Sequence, residues 1–496
     1  MKTRSSRLRD AYVPSFNLLT RVSAAIPSSK VHILDLPTEI LSDIFDKLTP
    51  HGKDLIGLNH LPDLLAVRAT CRTFRAICNT LRVWHEKHFD LSHIVRTAVA
   101  ANPPRGGISA RWVAIELGTR KLFQLFKEDK VLLETMARKE SWSFRTIPTM
   151  VIFADTIPRF RETVKDLDYQ GYDEWEESQN TPATTINNAI AHLNHLPNLT
   201  SLSIAEYDGK VSLNQIAISC PSLKKLEFYS NTWYTGSLGG LRNLEKLIVW
   251  DYKLDKHTGS RAHLLPADSA ASLKDLKLYA PGTRNNVYNS KHLLRFSNLE
   301  KFTIFPLCNR LCKTLFSANF LHLREFTTVV YSDPFLDMGN SIIPLFQTRS
   351  FAFLERLAIL IEPFDEAFNF AYLELIRTIT THLPQLKSLQ LTAGINTAWC
   401  QLFSQLRKLE SFAWAASVDE CIVSDNMDLV PFDRESVMFE VEISDEARDT
   451  LQGIVEAKIR EAFGEFGTPP SIYVELFGES SGRDWDEIFE EYEGDD

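Results

Sequence analysis

Tyr229, Trp250, Tyr279 and Phe305 recur at intervals of 21, 29 and 26 residues, each closing a short apolar frame. Lys225, Lys246, Lys277 and Lys301 stand two or four residues before them, with Glu227 and Asp275 interspersed. Rings and charges at such spacing do the chemistry of recognition: aromatics anchor binding surfaces, and charges set orientation. The four rings are therefore the candidate centre of a partner-binding surface.

Bond-making chemistry finds no comparable support. His85-Glu86-Lys87-His88 sets two histidines three residues apart, whereas a zinc-protease helix needs His-Glu-x-x-His. Cys308 and Cys312 could share a helical face, but no further ligand accompanies them. Gly52-Lys53-Asp54 lacks the glycine spacing and hydroxyl of a phosphate loop, and Gly236 to Gly240 reads as a loop before a repeat. No cysteine has a histidine placed to activate it. The expectation is a chain with no metal, no cofactor and no catalytic residue: not an enzyme.

The rings need a scaffold, and the middle of the chain repeats itself. The frame Leu-x-x-Leu-x-φ, with φ usually apolar, occurs as Leu199/Leu202/Ile204, Leu223/Leu226/Phe228 and Leu244/Leu247/Val249. It continues as Leu273/Leu276/Leu278, Leu299/Phe302/Ile304 and Leu323/Phe326/Thr328, the last being the weakest. Leu354/Leu357/Ile359, Leu386/Leu389/Leu391 and Leu409/Phe412/Trp414 complete nine frames, spaced by 21 to 32 residues. Pro197-Asn198, Pro221-Ser222 and Pro384-Gln385 place a turn before the strand, since proline cannot continue a preceding helix. Residues 370–381 suit such a helix.

This pattern resembles the leucine-rich-repeat family, whose period is about 20–29 residues. The resemblance implies an α-β solenoid over residues 191–420 with a parallel sheet on its concave face. A single repeat cannot bury its apolar face, so stacking makes the core. Strand alternation sends frame positions four and six inward and three, five and seven outward. The seventh column reads Ala205, Tyr229, Trp250, Tyr279, Phe305, Val329, Leu360, Thr392, Ala415. On strands about 4.8 Å apart, the four rings would form one ladder.

Ahead of the repeats, residues 33–48 read ILDLPTEILSDIFDKL. Pro37 suits a first helical position and Glu39 the positive end of the helix dipole. Ile40, Leu41, Ile44, Phe45 and Leu48 then mark one apolar face. Leu64, Val67, Cys71, Phe74, Cys78 and Leu81 do the same over residues 63–81. Leu36-Pro37-x-Glu39-Ile40-Leu41-x-x-Ile44-Phe45, followed by Cys71-Arg72-x-Phe74-Arg75 and Leu81 to Trp84, resembles an F-box, with a longer connection than the family shows. The resemblance implies a small all-α module that binds the Skp-type adaptor of cullin-based ubiquitin ligases. It places Leu36, Pro37, Ile40, Leu41, Ile44 and Leu65 in that contact.

The remainder frames these modules. The 496 residues are 44% hydrophobic and 24% charged, which suits two or more globular units. Residues 1–30 read as a disordered basic arm, 31–90 as the F-box and 91–190 as a helical or irregular linker. Residues 421–478 read as a cap, with a strand at 438–443, a helix from Ser444 to Phe463 and a strand at 471–477. Residues 479–496 are an acidic tail. From Pro431 onward 20 acidic and 5 basic residues give a net of −15 against −10 for the whole chain. The rest is too weakly basic for a nucleic-acid binder, and no apolar run approaches a membrane span. Seven scattered cysteines read as reduced thiols, so the cytoplasm or nucleus is expected.

As a member of the F-box family with C-terminal leucine-rich repeats, the chain is expected to be a substrate-recognition subunit of a cullin-RING (SCF-type) ubiquitin ligase. Its partners would be the Skp-type adaptor, through it the cullin and RING subunits, and a protein substrate held on Tyr229, Trp250, Tyr279 and Phe305. A non-degradative scaffold or adaptor using the same contacts is the alternative.

Overall fold

The computed structural model describes residues 37–38, 40–41, 70, 72–79, 133–134, 137–144, 154–155, 157, 159–171, 196–206, 210–229, 233–250, 265–279, 293–305, 307, 309–331, 341–362, 366–392, 395–396, 399–417, 421–422, 445–464 and 470–477. The basic arm, the strand expected at 438–443 and the acidic tail lie outside the described residues. The chain divides into two compact units, Met1–Glu86 and Lys87–Asp496.

In the first unit, the Leu41 N–H donates to the Pro37 carbonyl at 3.1 Å, closing the first turn of a helix. Proline fits there because no intrahelical partner waits for an N–H at that position. Helix α1 (Arg72–Asn79) turns Phe74, Ile77 and Cys78 inward at the three- and four-residue spacing of one helical face.

The second unit is a solenoid. Twelve strands form one sheet in strict chain order: β1 (Ser141–Phe144), β2 (Asp166–Gly171), β3 (Ser201–Glu206), β4 (Lys225–Tyr229), β5 (Lys246–Trp250), β6 (Asp275–Tyr279), β7 (Lys301–Phe305), β8 (Glu325–Tyr331), β9 (Arg356–Glu362), β10 (Ser388–Thr392), β11 (Ser411–Ser417) and β12 (Ser471–Phe477). Every neighbouring pair is parallel. Parallel neighbours need a crossover, which the intervening turns and helices supply. Among these are α2 (Leu213–Ser219), α3 (Asn309–Leu315), α4 (Glu366–His382) and α5 (Asp445–Gly464). Ser212 caps α2 by accepting the Gln215 N–H at 3.3 Å.

The nine frames become β3 to β11, and their fourth and sixth positions are all 2% exposed or less. Thr328, the polar exception, is fully buried because its hydroxyl donates to the Ile304 carbonyl of the preceding strand at 2.9 Å. A satisfied hydroxyl removes the penalty of burying it.

The sheet is wider than the expected 191–420. β1 and β2 come from the stretch read as a linker, and β12 from the cap. β1 carries aromatics in both core columns, Trp142 and Phe144, in register with Leu167 and Tyr169 of β2. Trp142 stacks on Phe144 at 5.8 Å, and Phe160 tilts against both. Aromatics fill the same columns as leucines, so the core continues although the frame does not.

At the other end α5 runs where a helix was expected, and turns Val455, Ile459 and Phe463 inward. Phe463 packs 5.9 Å from Phe412 of β11. Ile454, expected on the buried side, is exposed, because the face that meets the sheet is narrower than the apolar stripe in the sequence.

Neighbouring repeats are clipped together by recurring hydrogen bonds. Just before each strand from β1 to β10, one backbone carbonyl accepts two successive N–H groups of the next repeat. The Glu300 carbonyl, for example, takes the N–H of Arg324 at 2.8 Å and of Glu325 at 3.0 Å. The buried Ser269 hydroxyl donates to the Leu241 carbonyl and accepts the Leu244 N–H. Ser350 does the same for Ala318 and Phe320. Asn298 donates to the Ala271 carbonyl at 2.8 Å.

Candidate binding surface

Frame positions three, five and seven face away from the core, and the seventh carries the expected rings. Trp250 and Tyr279 stack with centroids 3.5 Å apart and planes 2° from parallel. Phe305 meets Tyr279 edge-on at 4.6 Å and 62°. The strand register produces this, since Trp250, Tyr279 and Phe305 are direct neighbours across β5, β6 and β7. The cluster continues through Val329 and Leu360 and takes in Ile248 from the fifth column. The backbone of Tyr229 occupies the same seventh position, opposite Ala205, while its side chain lies outside the described residues.

The expectation of an exposed ladder needs correction. Tyr279 and Phe305 are 7% and 8% exposed, and Trp250 alone of these three rings is only partly buried. The rings bury one another and pack with Ile248, Val329 and Leu360 in one cluster. Tyr279 and Phe305 therefore serve as a platform, and Trp250 as its reachable edge.

Three of the flanking lysines form ion pairs within the chain. Lys225 meets Glu227 at 3.0 Å, Lys246 meets Asp275 at 3.3 Å, and Lys301 meets Glu325 at 3.2 Å. Arg356 reaches Glu325 from the other side at 3.7 Å. Such surface pairs add little stability but set where each charge sits.

A second row was missed in the sequence. The residue following the first leucine of each frame alternates in sign from β4 to β11: Lys224, Glu245, Lys274, Glu300, Arg324, Glu355, Lys387, Glu410. Lys224–Glu245, Lys274–Glu300, Arg324–Glu355 and Lys387–Glu355 are ion pairs of 2.7 to 3.0 Å. The hydrogen bond from Lys387 holds the Glu355 carboxyl below the ordinary glutamate range, and the nearby charges of Lys387 and Arg324 add to it. The signal was present at a fixed frame position, where strands about 4.8 Å apart make successive repeats neighbours. Beside this row lies a groove of about 400 Å³ lined by Ala271, Ser272, Asn298 and His322 together with Glu245, Lys274 and Glu300.

In the first unit, Ile40 is 46% exposed while Leu41 beside it is 1% exposed. Of this pair, a partner can reach Ile40, and Leu41 is buried within the chain. Pro37 is exposed at the helix start. Leu36, Ile44 and Leu65 lie outside the described residues.

Among the described residues no group of three or more His, Cys, Asp or Glu could hold a metal. Cys312 is buried, and Cys308, His85 and His88 lie outside the described residues. Burial pushes the Cys220 thiol up to about 12. The Gly236 to Gly240 segment is a turn, with both end glycines at positive φ (81° and 102°), where the Gly240 N–H donates to Asp268 at 2.9 Å. No described helix is long and apolar enough to cross a membrane.

Comparison with known proteins bears on the first unit. Residues 33–90 match the F-box-like family model. No curated protein matches the sequence. Among solved structures, a Bacteroides fragilis protein from a structural-genomics consortium is similar over 74% of this chain and 83% of its own, with 11% identity and a TM-score of 0.29. At that TM-score the likeness says nothing further about this chain.

Proposed function

We propose that this chain is a substrate-recognition subunit of an SCF-type ubiquitin ligase, docking the Skp-type adaptor through residues 33–90 and holding a protein target on the solenoid. The F-box-like match over those residues carries the reading. It fits an exposed Ile40 at the start of the module, since a large aliphatic side chain left in water gains roughly 1.5–3 kcal/mol when a partner covers it. The chain itself makes and breaks no bonds in this reading. Catalysis comes from subunits brought close to the held target, which turns an encounter into a near-intramolecular step. Buried free thiols at Cys78, Cys220, Cys312 and Cys400 suit the reducing cytoplasm or nucleus.

The test is capture of purified Skp-type adaptor and cullin by the full chain. Wild type is expected to bind, and Ile40→Asp to lose binding with its thermal unfolding unchanged. Leu41→Asp, which places a charge at a buried position, is the control for damage to the fold. A folded wild-type chain that captures no adaptor would overturn the proposal.

A further inference from the structure

We infer that the strand-start edge of the solenoid is a self-association surface whose partner is a second copy of this chain, set against it in reverse order. From β4 to β11 the edge row reads plus, minus, plus, minus, plus, minus, plus, minus. Reversed, that row is its own complement. A two-fold axis between β7 and β8 sets Glu300 of one copy against Arg324 of the other, Lys274 against Glu355, Glu245 against Lys387 and Lys224 against Glu410. Aligned in the same order, every residue would meet its own charge. Two-fold contacts use one patch twice, so self-complementarity is the property they require.

The apolar residues beside the row obey the same symmetry. Leu321 and Phe353 are 58% and 61% exposed, on the turns leading into β8 and β9. Under the axis, the turn before β9 faces the turn before β6, and the turn before β8 faces the turn before β7. Those facing turns carry Ala271, Ser272 and Asn298, which line the groove of about 400 Å³. Phe353 and Leu321 of each copy are thus aimed at the groove of the other. The exposed knobs, and the charge row with the groove it borders, share one axis. Existing ion pairs survive, because each ion gains an opposite neighbour across the interface while keeping its own.

The mass of the full chain in solution, followed by sedimentation as concentration rises, tests this. Wild type is expected to reach the mass of two chains. Leu321→Asp with Phe353→Asp is expected to stay at one chain, with its thermal unfolding unchanged because both side chains are exposed. Glu300→Arg alone and Arg324→Glu alone are each expected to stay at one chain, since each sets like charges together. Mixing those two variants restores opposite charges at both contacts and is expected to recover the two-chain mass. A wild-type chain that remains at one mass to its solubility limit would overturn the inference. So would a dimer indifferent to the apolar pair, or a mixture that fails to reassociate.

Discussion

The indole of Trp250 lies flat on the ring of Tyr279, 3.5 Å between centroids, because β5 and β6 hold them in direct register. Tyr279 is the inner member of the pair, and Tyr279→Ala is expected to cost about 3–5 kcal/mol in denaturant unfolding, as for other buried aromatics. Trp250→Ala costs less, since that ring is only partly buried. A double-mutant cycle should show coupling of about 0.5–1.5 kcal/mol beyond area burial. Target capture is the separate readout. Trp250→Ala in an intact fold should weaken it, and unchanged capture would remove the rings from the target surface.

Ser269 joins two repeats through one buried hydroxyl that donates to Leu241 and accepts from Leu244. Ser269→Ala leaves a buried carbonyl and a buried N–H unsatisfied, at an expected cost of about 1–3 kcal/mol. Hydrogen exchange at Leu244 should speed up more than at repeats further along the sheet. Uniform change across all strands would mean that the clip is not local.

Glu355 titrates below the ordinary glutamate value, chiefly through its hydrogen bond from Lys387. A carboxyl whose folded pKa is depressed contributes stability above its unfolded pKa and loses it as pH falls through the folded one. Lys387→Met should therefore reduce stability at neutral pH and flatten the decline below about pH 4.5. The effect is small, since the pair is solvent-screened. Unfolding midpoints along an acid series would show it, and identical slopes for both proteins would contradict it.

Cys220 sits at the end of α2 with its thiol pushed up to about 12 by burial. The reactive thiolate is then scarce at a labelling pH of about 8. Iodoacetamide should leave Cys220 untouched in the native chain and modify it after denaturation, read by peptide mass. Rapid native labelling would mean that this repeat opens readily.

Nine of the twelve strands were legible because their core columns are mostly Leu, Phe, Ile and Val at a fixed spacing. β1 escaped because Trp142 and Phe144 do the leucines' work, and β2 because Val164 takes the first position. β12 was read as a strand of the cap, but Ile472 and Val474 in place of leucines hid that it belongs to the same sheet. The rings were found from their column, yet their burial was not, since it depends on packing with Ile248, Val329 and Leu360 and on side-chain tilts that no spacing encodes. The charge row went unread because it means something only once successive repeats are neighbours.

The clips at the strand starts give the solenoid the character of a ruler. Frame intervals range from 21 to 32 residues, yet every repeat advances the sheet by one strand. Extra residues in a crossover leave that advance, about 4.8 Å, unchanged. Adding or deleting a complete repeat moves everything beyond it by one graduation. Distance along the sheet is thus counted in repeats, so crossovers can lengthen and diversify without altering where Trp250 stands relative to Glu410.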